Sequence, residues 1–481
     1  MALRDLREWI ALLEREGELV RVSAEVDPYL EITEIVDRTV KAKGPALLFE
    51  NVKGARHPLL INQFGTERRM RLGFGVKSLD DVAVRLEEVL EMQPPQGLMD
   101  KVRGLQKLKS IADSRPELVK KGVSQEIVLT GDDIDLDAFP IPHCWPGDPA
   151  PFITLPAVIT ADPRTGSRNV GMYRMQKIDK RTTFMHWQLH KDGASDWRGM
   201  GERLDVAVAF GLDPITAYSA SAPLPKHIDE FMVAGFLRGE AVELVQAKTV
   251  DLQVPAHAEI VMEGYIQKGE LGVEGPFGDH TGYYSPADLF PIFHLTAITM
   301  RRDAIYPSII VGKPPAEDEW LAKATERIFL PAIRMTVPEI VDYDLPTAGT
   351  FHNCAIVSIR KAYPGHARKV INAVWALGLL SLTKCVVVVD EHVNVHDYNE
   401  VFFKACANVD PMRDVVMQLG PLDQLDHAPT LEAFGGKMGI DATHKGPAEG
   451  TRPWPEEIEM SAEIKAQVAR RWQEYGIPTN K

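Results

Sequence analysis

Apolar positions along the chain change period twice. Between residues 4 and 15, Leu6, Ile10 and Leu13 recur near helical spacing, and EGELVRV then switches to a strand pattern. A second helix is predicted across LEITEIVDRTVKAKG, while PALLFENV and HPLLINQFG read as strands. These elements predict an N-terminal α/β domain over 1–115, closed by a basic, polar stretch from Lys101 to Lys121 that reads as a linker. From about Gln125 to Gly312 the period becomes that of strands, with β-rich runs separated by DPRTG and IDKR. Further strands are predicted at LDVAVAFG, EAVELVQAKTVDL, AEIVMEGYIQKGEL, IFHLTAITMRR and AIYPSIIVG, interrupted by one helix at IDEFMVAGFLRG. An antiparallel meander of this length predicts a barrel or strongly curled sheet, assigned to 116–315. After Pro314, helical and strand signals alternate through EWLAKATERIFLPAI, CAIVSIRK, HARKVINAVWALGLL, KCVVVVDEHVN and YNEVFFKACANV, which predicts an α/β domain over 316–450. A final helix within 451–481 carries Met460, Ile464, Val468 and Trp472 at i, i+4 spacing. Such a stripe must pack somewhere, and a neighbouring subunit is one candidate.

Composition changes this picture little but removes several functions. Over 481 residues, 45% hydrophobic and 25% charged residues with dispersed Gly and Pro describe an ordinary multidomain globular protein, which excludes disorder and collagen-like architecture. The net charge of -14 provides no global drive toward nucleic acid or anionic lipid, so at most peripheral membrane contact is expected. The first residues, MALRDLREWIALLEREGELV, mix charges into the apolar positions and lack a signal-peptide core. Cys144, Cys354, Cys385 and Cys406 lie far apart and form no C-x-x-C pair, so neither a disulfide framework nor a thiolate zinc site is indicated. A cytoplasmic location is the expectation.

The densest polar cluster is EGPFGDHTGYY, where Glu274 and Asp279 lie five apart across a turn-forming segment and His280 follows. Paired carboxylates matter because repulsion and desolvation drive their proton affinities apart, but a solvated hairpin tip is the commoner reading of such a turn. In NVGMYR, the odd offset between Asn169 and Arg174 puts them on opposite faces of a regular strand, so joint action requires a bulge, for which Gly171 is suited. His186 and His190 in MHWQLH share a strand face, yet the segment lacks the Glu of a zincin motif. Glu230 opens the IDEFMVAGFLRG helix beside Asp229, where the helix dipole alone explains both acids. Should Asn169, His190 and Glu230 meet, an amide oxygen, an imidazole and a carboxylate form a hard mixed site for manganese or magnesium. No G-x-G-x-x-G, Walker or nucleophile-elbow motif occurs.

Taken together, NVGMYR, MHWQLH, DEFMVAGFLRGE, EGPFGDHTGYY and FGGKMGIDAT closely resemble the UbiD family of reversible carboxy-lyases, in order and spacing over nearly the whole chain. Within that family the 4-hydroxy-3-polyprenylbenzoate decarboxylases of ubiquinone synthesis are most similar. The resemblance implies an N-terminal α/β domain, a central split barrel related to flavin reductases, and a C-terminal α/β domain ending in an oligomerising helix. It implies prenylated FMN, made by a separate flavin prenyltransferase, with its phosphate held through manganese (or magnesium) and often potassium. Asn169, His190 and Glu230 match the metal positions. Met172, Tyr173, Arg174, His186, Trp187, Gln188 and Lys191 match segments that line the flavin. Arg174, Glu274 and Asp279 match the catalytic network, with Asp279 at the position of the proton donor. His186 stands where close relatives have Arg, and Lys191-Asp192 replaces an Arg-Gly pair. The implied reaction is decarboxylation of an aromatic acid, most readily a 4-hydroxybenzoate-type acid, releasing carbon dioxide. Another aromatic or heteroaromatic acid, or a non-catalytic flavin-binding subunit, remain alternatives, and a homo-oligomer, dimer or hexamer, is implied in each case.

Overall fold

The computed structural model describes residues 2–90, 112–188, 191–226, 228–450 and 452–477. Of the linker expected at Lys101 to Lys121, residues 101–111 lie outside the described residues, and the rest holds strand Glu117–Leu118, which pairs parallel with Glu243 and Leu244. At the N-terminus, helix Leu6–Arg15 starts at Asp5, whose side chain accepts the Glu8 N–H, and buries Leu6, Trp9, Ile10 and Leu13. Helix Glu31–Lys41 buries Ile32, Val36 and Val40. Strand Leu19–Val22 runs parallel to Ala46–Phe49, which pairs antiparallel with Leu59–Ile61. A fourth strand, Tyr306–Pro307, joins this sheet from the far end of the strand-rich segment, so the N-terminal layer is stitched to the centre of the molecule by main-chain bonds.

The centre is a seven-stranded antiparallel sheet in the order Thr182–Phe184, Asp288–Met300, Ile260–Glu274, Arg203–Phe210, Ala157–Ala161, Arg168–Gly171, with Ile127–Thr130 also pairing Asp288–Met300. Its two faces follow from the period-2 sequence LDVAVAF. Val206, Val208 and Phe210 enter one apolar cluster, while Ala207 and Ala209 enter another with Phe231 and Ala234 of helix Glu230–Arg238. The small alanine face leaves room for that helix. The long central hairpin shifts register at Glu263/Gly264 and again between Ile266 and Leu271. At the first shift a Cβ on Gly264 would stand 2.0 Å from the His294 carbonyl oxygen, so only glycine permits the approach. Among the described residues the predicted barrel does not close. Its edges are Thr182–Phe184 and Arg168–Gly171, and at the latter the Val170 N–H donates to the Glu230 carboxylate at 2.8 Å instead of to another strand.

The C-terminal part holds a five-stranded sheet, parallel through Cys354–Ile359, Cys385–Asp390 and Phe434–Asp441, with antiparallel edges Ile340–Asp344 and Val415–Pro421. Helix His366–Val374 packs Val370 and Ile371 on it, in the cluster that holds Val357, Val386 and Val388. The mixed, three-part α/β and β architecture expected from the sequence is present. The terminal helix, Ala462–Arg471, buries nothing within the chain, and Met460 is 61% exposed. Among the described residues, no helix is long and apolar enough to cross a membrane.

Phe293 lies fully buried on the central hairpin, in the same apolar cluster as Val158, Val206 and Met262. Phe293→Ala is expected to cost about 3–5 kcal/mol, the usual loss for an aromatic deleted from a close-packed core. Chemical denaturation checks this, and a loss below about 1 kcal/mol would contradict the placement.

Candidate active site

Strand Ile260–Glu274 ends at Glu274, and the GPFG segment then turns the chain back. Phe277–Gly278 pairs with Tyr284–Ser285, which makes 279–283 the tip, closed by an Asp279 N–H to Tyr283 carbonyl bond of 3.1 Å. Tyr283 at the tip is 60% exposed, but the two carboxylates are not solvated as the turn's composition favours. Glu274 is 0% and Asp279 4% exposed, because the turn folds onto Trp145, so closely that a Cβ on Gly278 would lie 2.1 Å from the indole.

Arg174 is the partner of both acids. Its Nε donates to Glu274 Oε1 at 2.9 Å, its Nη2 to Glu274 Oε2 at 3.3 Å and to Ser285 Oγ at 3.1 Å, and its Nη1 to Asp279 Oδ2 at 2.7 Å. The guanidinium also lies over the Phe277 ring, 4.5 Å from its centroid. His186 Nδ1 meets Glu274 Oε2 at 3.1 Å, and its ring packs on Phe290 at 4.1 Å. On the other side, Asp279 Oδ1 accepts from the His280 backbone N–H at 2.8 Å and contacts His280 Nδ1 at 2.9 Å.

Burial alone would raise both carboxyls, but ionic partners outweigh it. The hydrogen bond from His186 and the Arg174 charge lower Glu274, and His280 with Arg174 hold Asp279 well below the usual carboxylate range. His186 is itself lowered by burial and by Arg174, so at neutral pH it serves as a neutral donor to Glu274. Burial would likewise lower His280, yet Asp279 and the more distant Asp318 and Asp423 raise it to about 9.

One residue before Arg174, Tyr173 lies on the wall of a cavity of about 620 Å³. Asn169, Tyr173, Lys191, Lys226 and Glu230 lie on its wall, and Gly378, Leu379, Ser381 and Leu382 close it from the C-terminal domain. The Tyr173 hydroxyl accepts the Gly193 N–H at 3.0 Å, its ring meets Trp187 edge-on at 4.9 Å, and the Lys191 ammonium lies 5.6 Å from its centroid. Glu230 has the Val170 N–H as a donor, and burial pushes its carboxyl up to about 8. Asn169 donates to Thr160 Oγ1 at 3.2 Å. Lys226 donates to Ser195 Oγ at 2.9 Å. A buried carboxylate and an amide side by side are a hard donor pair for a divalent cation, and the two lysines suit a phosphate. Among the described residues no three His, Cys, Asp or Glu side chains cluster as a metal site.

The structure thus brings Arg174, Glu274 and Asp279 together, and places Asn169, Tyr173, Lys191 and Glu230 around one cavity. The strand Arg168–Gly171 ends where the odd offset demanded an interruption: Asn169 and Tyr173 face the cavity, and Arg174 turns to the acids. His190 lies outside the described residues. Met172 packs into the apolar cluster of Phe64, Phe74 and Tyr218 rather than on the cavity wall. Trp187 is buried with its indole N–H unpartnered among the described residues, and the Gln188 carbonyl accepts the Lys191 N–H. Asp192 lines the cavity from the first turn of helix Asp192–Gly199, where the helix dipole accommodates an acid. Sequence reasoning missed the Pro-rich loop 221–226 and the segment 378–382. The only signal for the first is its place just before Glu230, and for the second there is none.

Comparison with known proteins decides the relationship. Residues 10–88, 117–314 and 319–442 match, in that order, the N-terminal, Rift-related and C-terminal domains described for the 3-octaprenyl-4-hydroxybenzoate carboxy-lyase UbiD. The chain belongs to the UbiD family. It is a UbiD-family decarboxylase, and it is 53% identical over 480 residues to an uncharacterized protein of Archaeoglobus fulgidus, covering 98% of this chain and 99% of that one. Among solved structures it is similar to the UbiD-class enzyme HmfF from Pelotomaculum thermopropionicum in complex with FMN. The identity is 30%, the TM-score is 0.79, and 97% of this chain and 99% of that one are covered. It is also similar to vanillic acid decarboxylase from Sedimentibacter hydroxybenzoicus in closed form, at 26% identity and a TM-score of 0.86, with 99% of each chain covered. The UbiD architecture accounts for the central antiparallel sheet between two α/β layers.

Because Glu274 and Asp279 are held below their unfolded values, they contribute stability that is present above the unfolded carboxylate range and lost as pH falls through the folded values. The thermal midpoint of the wild type is expected to fall between pH 7 and pH ~3.5 by more than that of the Glu274→Gln/Asp279→Asn double variant. Equal slopes in differential scanning calorimetry would refute the ionised state of the pair.

Proposed function

We propose that this protein is a prenylated-FMN-dependent, reversible decarboxylase of a hydroxybenzoate-type aromatic acid, and that the cavity next to Arg174 is its flavin site. The observation that carries the reading is a buried arginine shared by two carboxylates, one residue along the chain from Tyr173 on the wall of a cavity that holds a hard donor pair and two lysines. Similarity to a vanillic acid decarboxylase favours a ring bearing a hydroxyl group, and the ubiquinone precursor 3-polyprenyl-4-hydroxybenzoate is one such acid.

The residues present fit the cofactor. The cavity is within the ~300–1,000 Å³ typical of small-molecule sites. Trp187 buries an indole N–H that has no partner among the described residues, and Glu230 sits in a position that neutralises it unless a cation joins. Asn169 and Glu230, with His190 by family resemblance, would hold manganese or magnesium, and Lys191 and Lys226 would offset the remaining phosphate charge. When bound, the prenylated flavin supplies the electron sink that a carbon losing carbon dioxide requires and that no side chain offers.

This chain's residues do the rest. Arg174 is the cation against which a substrate carboxylate is oriented, and Glu274, chelating the same guanidinium, keeps it aimed. His186 caps the free side of Glu274 and keeps it an ion. Asp279, reaching the guanidinium through one oxygen only, is the acid that returns a proton to the ring carbon. The apolar stripe of the terminal helix is read as the contact that assembles a homo-oligomer, dimer or hexamer. A separate flavin prenyltransferase is the implied source of the cofactor.

Protein co-expressed with a flavin prenyltransferase is expected to retain one prenylated FMN and one manganese per chain in native mass spectrometry, and Glu230→Gln to lose the metal. With cofactor loaded, Glu274→Gln is expected to lower kcat for 4-hydroxybenzoate-type acids by ~10²-fold or more. A folded wild type that retains neither group, or full turnover in Glu274→Gln, would refute the reading. A preference for the polyprenylated over the plain acid would tell the biosynthetic substrate from a small one.

A further inference from the structure

A proton donor must hold a proton, yet the structure keeps Asp279 ionised between Arg174 and His280. The proton Asp279 passes on has to arrive from somewhere, and the carboxylate is almost sealed from water. We propose that His280 is the residue that loads Asp279, relaying a proton from solvent to the buried carboxylate across the Nδ1–Oδ1 contact. The inference rests on the decarboxylase reading above and deepens it.

The geometry is that of a donor built for one acceptor. His280 holds Asp279 Oδ1 twice, through its backbone N–H at 2.8 Å and through Nδ1 at 2.9 Å, so the oxygen cannot swing away from the imidazole. The second oxygen, Oδ2, belongs to Arg174. Exposure runs the right way: the Asp279 side chain is 5% and the His280 side chain 16% exposed, which makes the ring the step between water and the acid.

The surroundings of His280 keep it charged. Besides Asp279, with Arg174 behind it, the groups facing His280 come from the C-terminal half. Asp318 in the first turn of helix Asp318–Thr336 has a buried Oδ1 without a hydrogen-bond partner among the described residues. His352, its ring 5.4 Å away, is tied to Asp423 Oδ2 at 3.1 Å. Phe351, at 5.7 Å, closes the apolar side, and Lys313 passes the hairpin at Gly282. Acids outnumber cations around the ring, consistent with its elevation to about 9. Asp318 is meanwhile pushed up to about 6 by burial.

Transfer is unfavourable while Arg174 holds Oδ2, because the guanidinium stabilises the carboxylate. A substrate carboxylate that takes over Arg174 Nη1 removes that charge from Asp279 and raises its affinity for a proton. The His280 Nδ1–H bond then breaks as the Asp279 O–H bond forms. After carbon dioxide leaves, the O–H bond breaks as the new ring C–H bond forms, and His280 recovers its proton from water. One proton enters for each carbon dioxide released, and no oxidant or reductant is needed. In the carboxylating direction the same path runs outward.

His280 touches neither ring nor flavin in this scheme, so it is a positioning and loading residue, and its test must read pH as well as rate. In holoenzyme loaded by co-expression, His280→Gln is expected to lower kcat by about 10²-fold, with KM and flavin occupancy unchanged. The alkaline limb of the wild-type kcat profile, expected near the His280 value of about 9, is expected to vanish in the variant. A kcat within about twofold of wild type, or a lowered kcat with that limb intact, would overturn the relay. Histidine-selective NMR of the full wild-type chain supplies a readout free of turnover and of the variant's folding. The His280 resonance is expected to titrate about two pH units above an ordinary histidine and to fall back in Asp279→Asn. If the wild type turns over aromatic acids but His280 titrates near its ordinary value, the relay alone is wrong. If loaded wild type turns over no aromatic acid, the decarboxylase reading fails and the relay falls with it.

Discussion

A guanidinium taken out of water must be matched by negative charge at hydrogen-bond distance, since an unpaired buried ion costs several kcal/mol. Arg174 is in that position, its side chain 10% exposed, and its neutralising partners lie 100 and 105 residues further along the chain. Three pieces of backbone are therefore coupled: the segment after strand Arg168–Gly171, the end of strand Ile260–Glu274, and the 279–283 hairpin tip. None of them can settle without the others. Because Tyr173 is the next residue before Arg174, the ion network also sets the wall of the cavity, and Tyr173 in turn packs on Trp187 and Gly193.

The second constraint is the unclosed edge of the central sheet. A strand edge exposes backbone N–H groups that need partners. At Val170 the partner is the Glu230 carboxylate, so the edge of the sheet and the first turn of helix Glu230–Arg238 are held together by a group that a bound cation would also use. Closing the barrel there would satisfy the backbone and abolish the site. The buried carboxylate left by this arrangement costs free energy, which a divalent cation would relieve.

How far the sequence revealed this depends on the range of the interaction. The strand at LDVAVAF and helices such as Leu6–Arg15 and Tyr398–Asn408 followed from periodicity, because that signal acts within a few residues. The EGPFG turn was legible as a bend but not as a buried one. Burial comes from Trp145, more than 130 residues earlier, pressing on Gly278. Asn169 and Arg174 looked incompatible on a regular strand, and only the interruption after Gly171 reconciles them. The cavity wall at 378–382 left no trace, since it belongs to a different sheet and meets the site only in three dimensions. Family resemblance supplied residue roles that periodicity could not, and Met172 shows the limit of carrying over a segment: its neighbours face the cavity while its own side chain packs in the core.

The two acids differ by what holds them, and that difference decides their chemistry. Glu274 is gripped on both oxygens by one guanidinium and capped by a neutral imidazole, so no single event in the site removes its stabilisation. Asp279 has one oxygen on Arg174 and the other on His280, and each tie can be broken separately. A group that must alternate between carboxylate and acid needs partners that can be withdrawn, whereas a group that must stay ionised needs partners that cannot. The asymmetry fits the proposed roles, a fixed charge for Glu274 and a movable proton for Asp279. It also explains why two carboxylates so close to one arginine need not compete: they are bound to different faces of the same cation, one to keep it in place and one to be released by it.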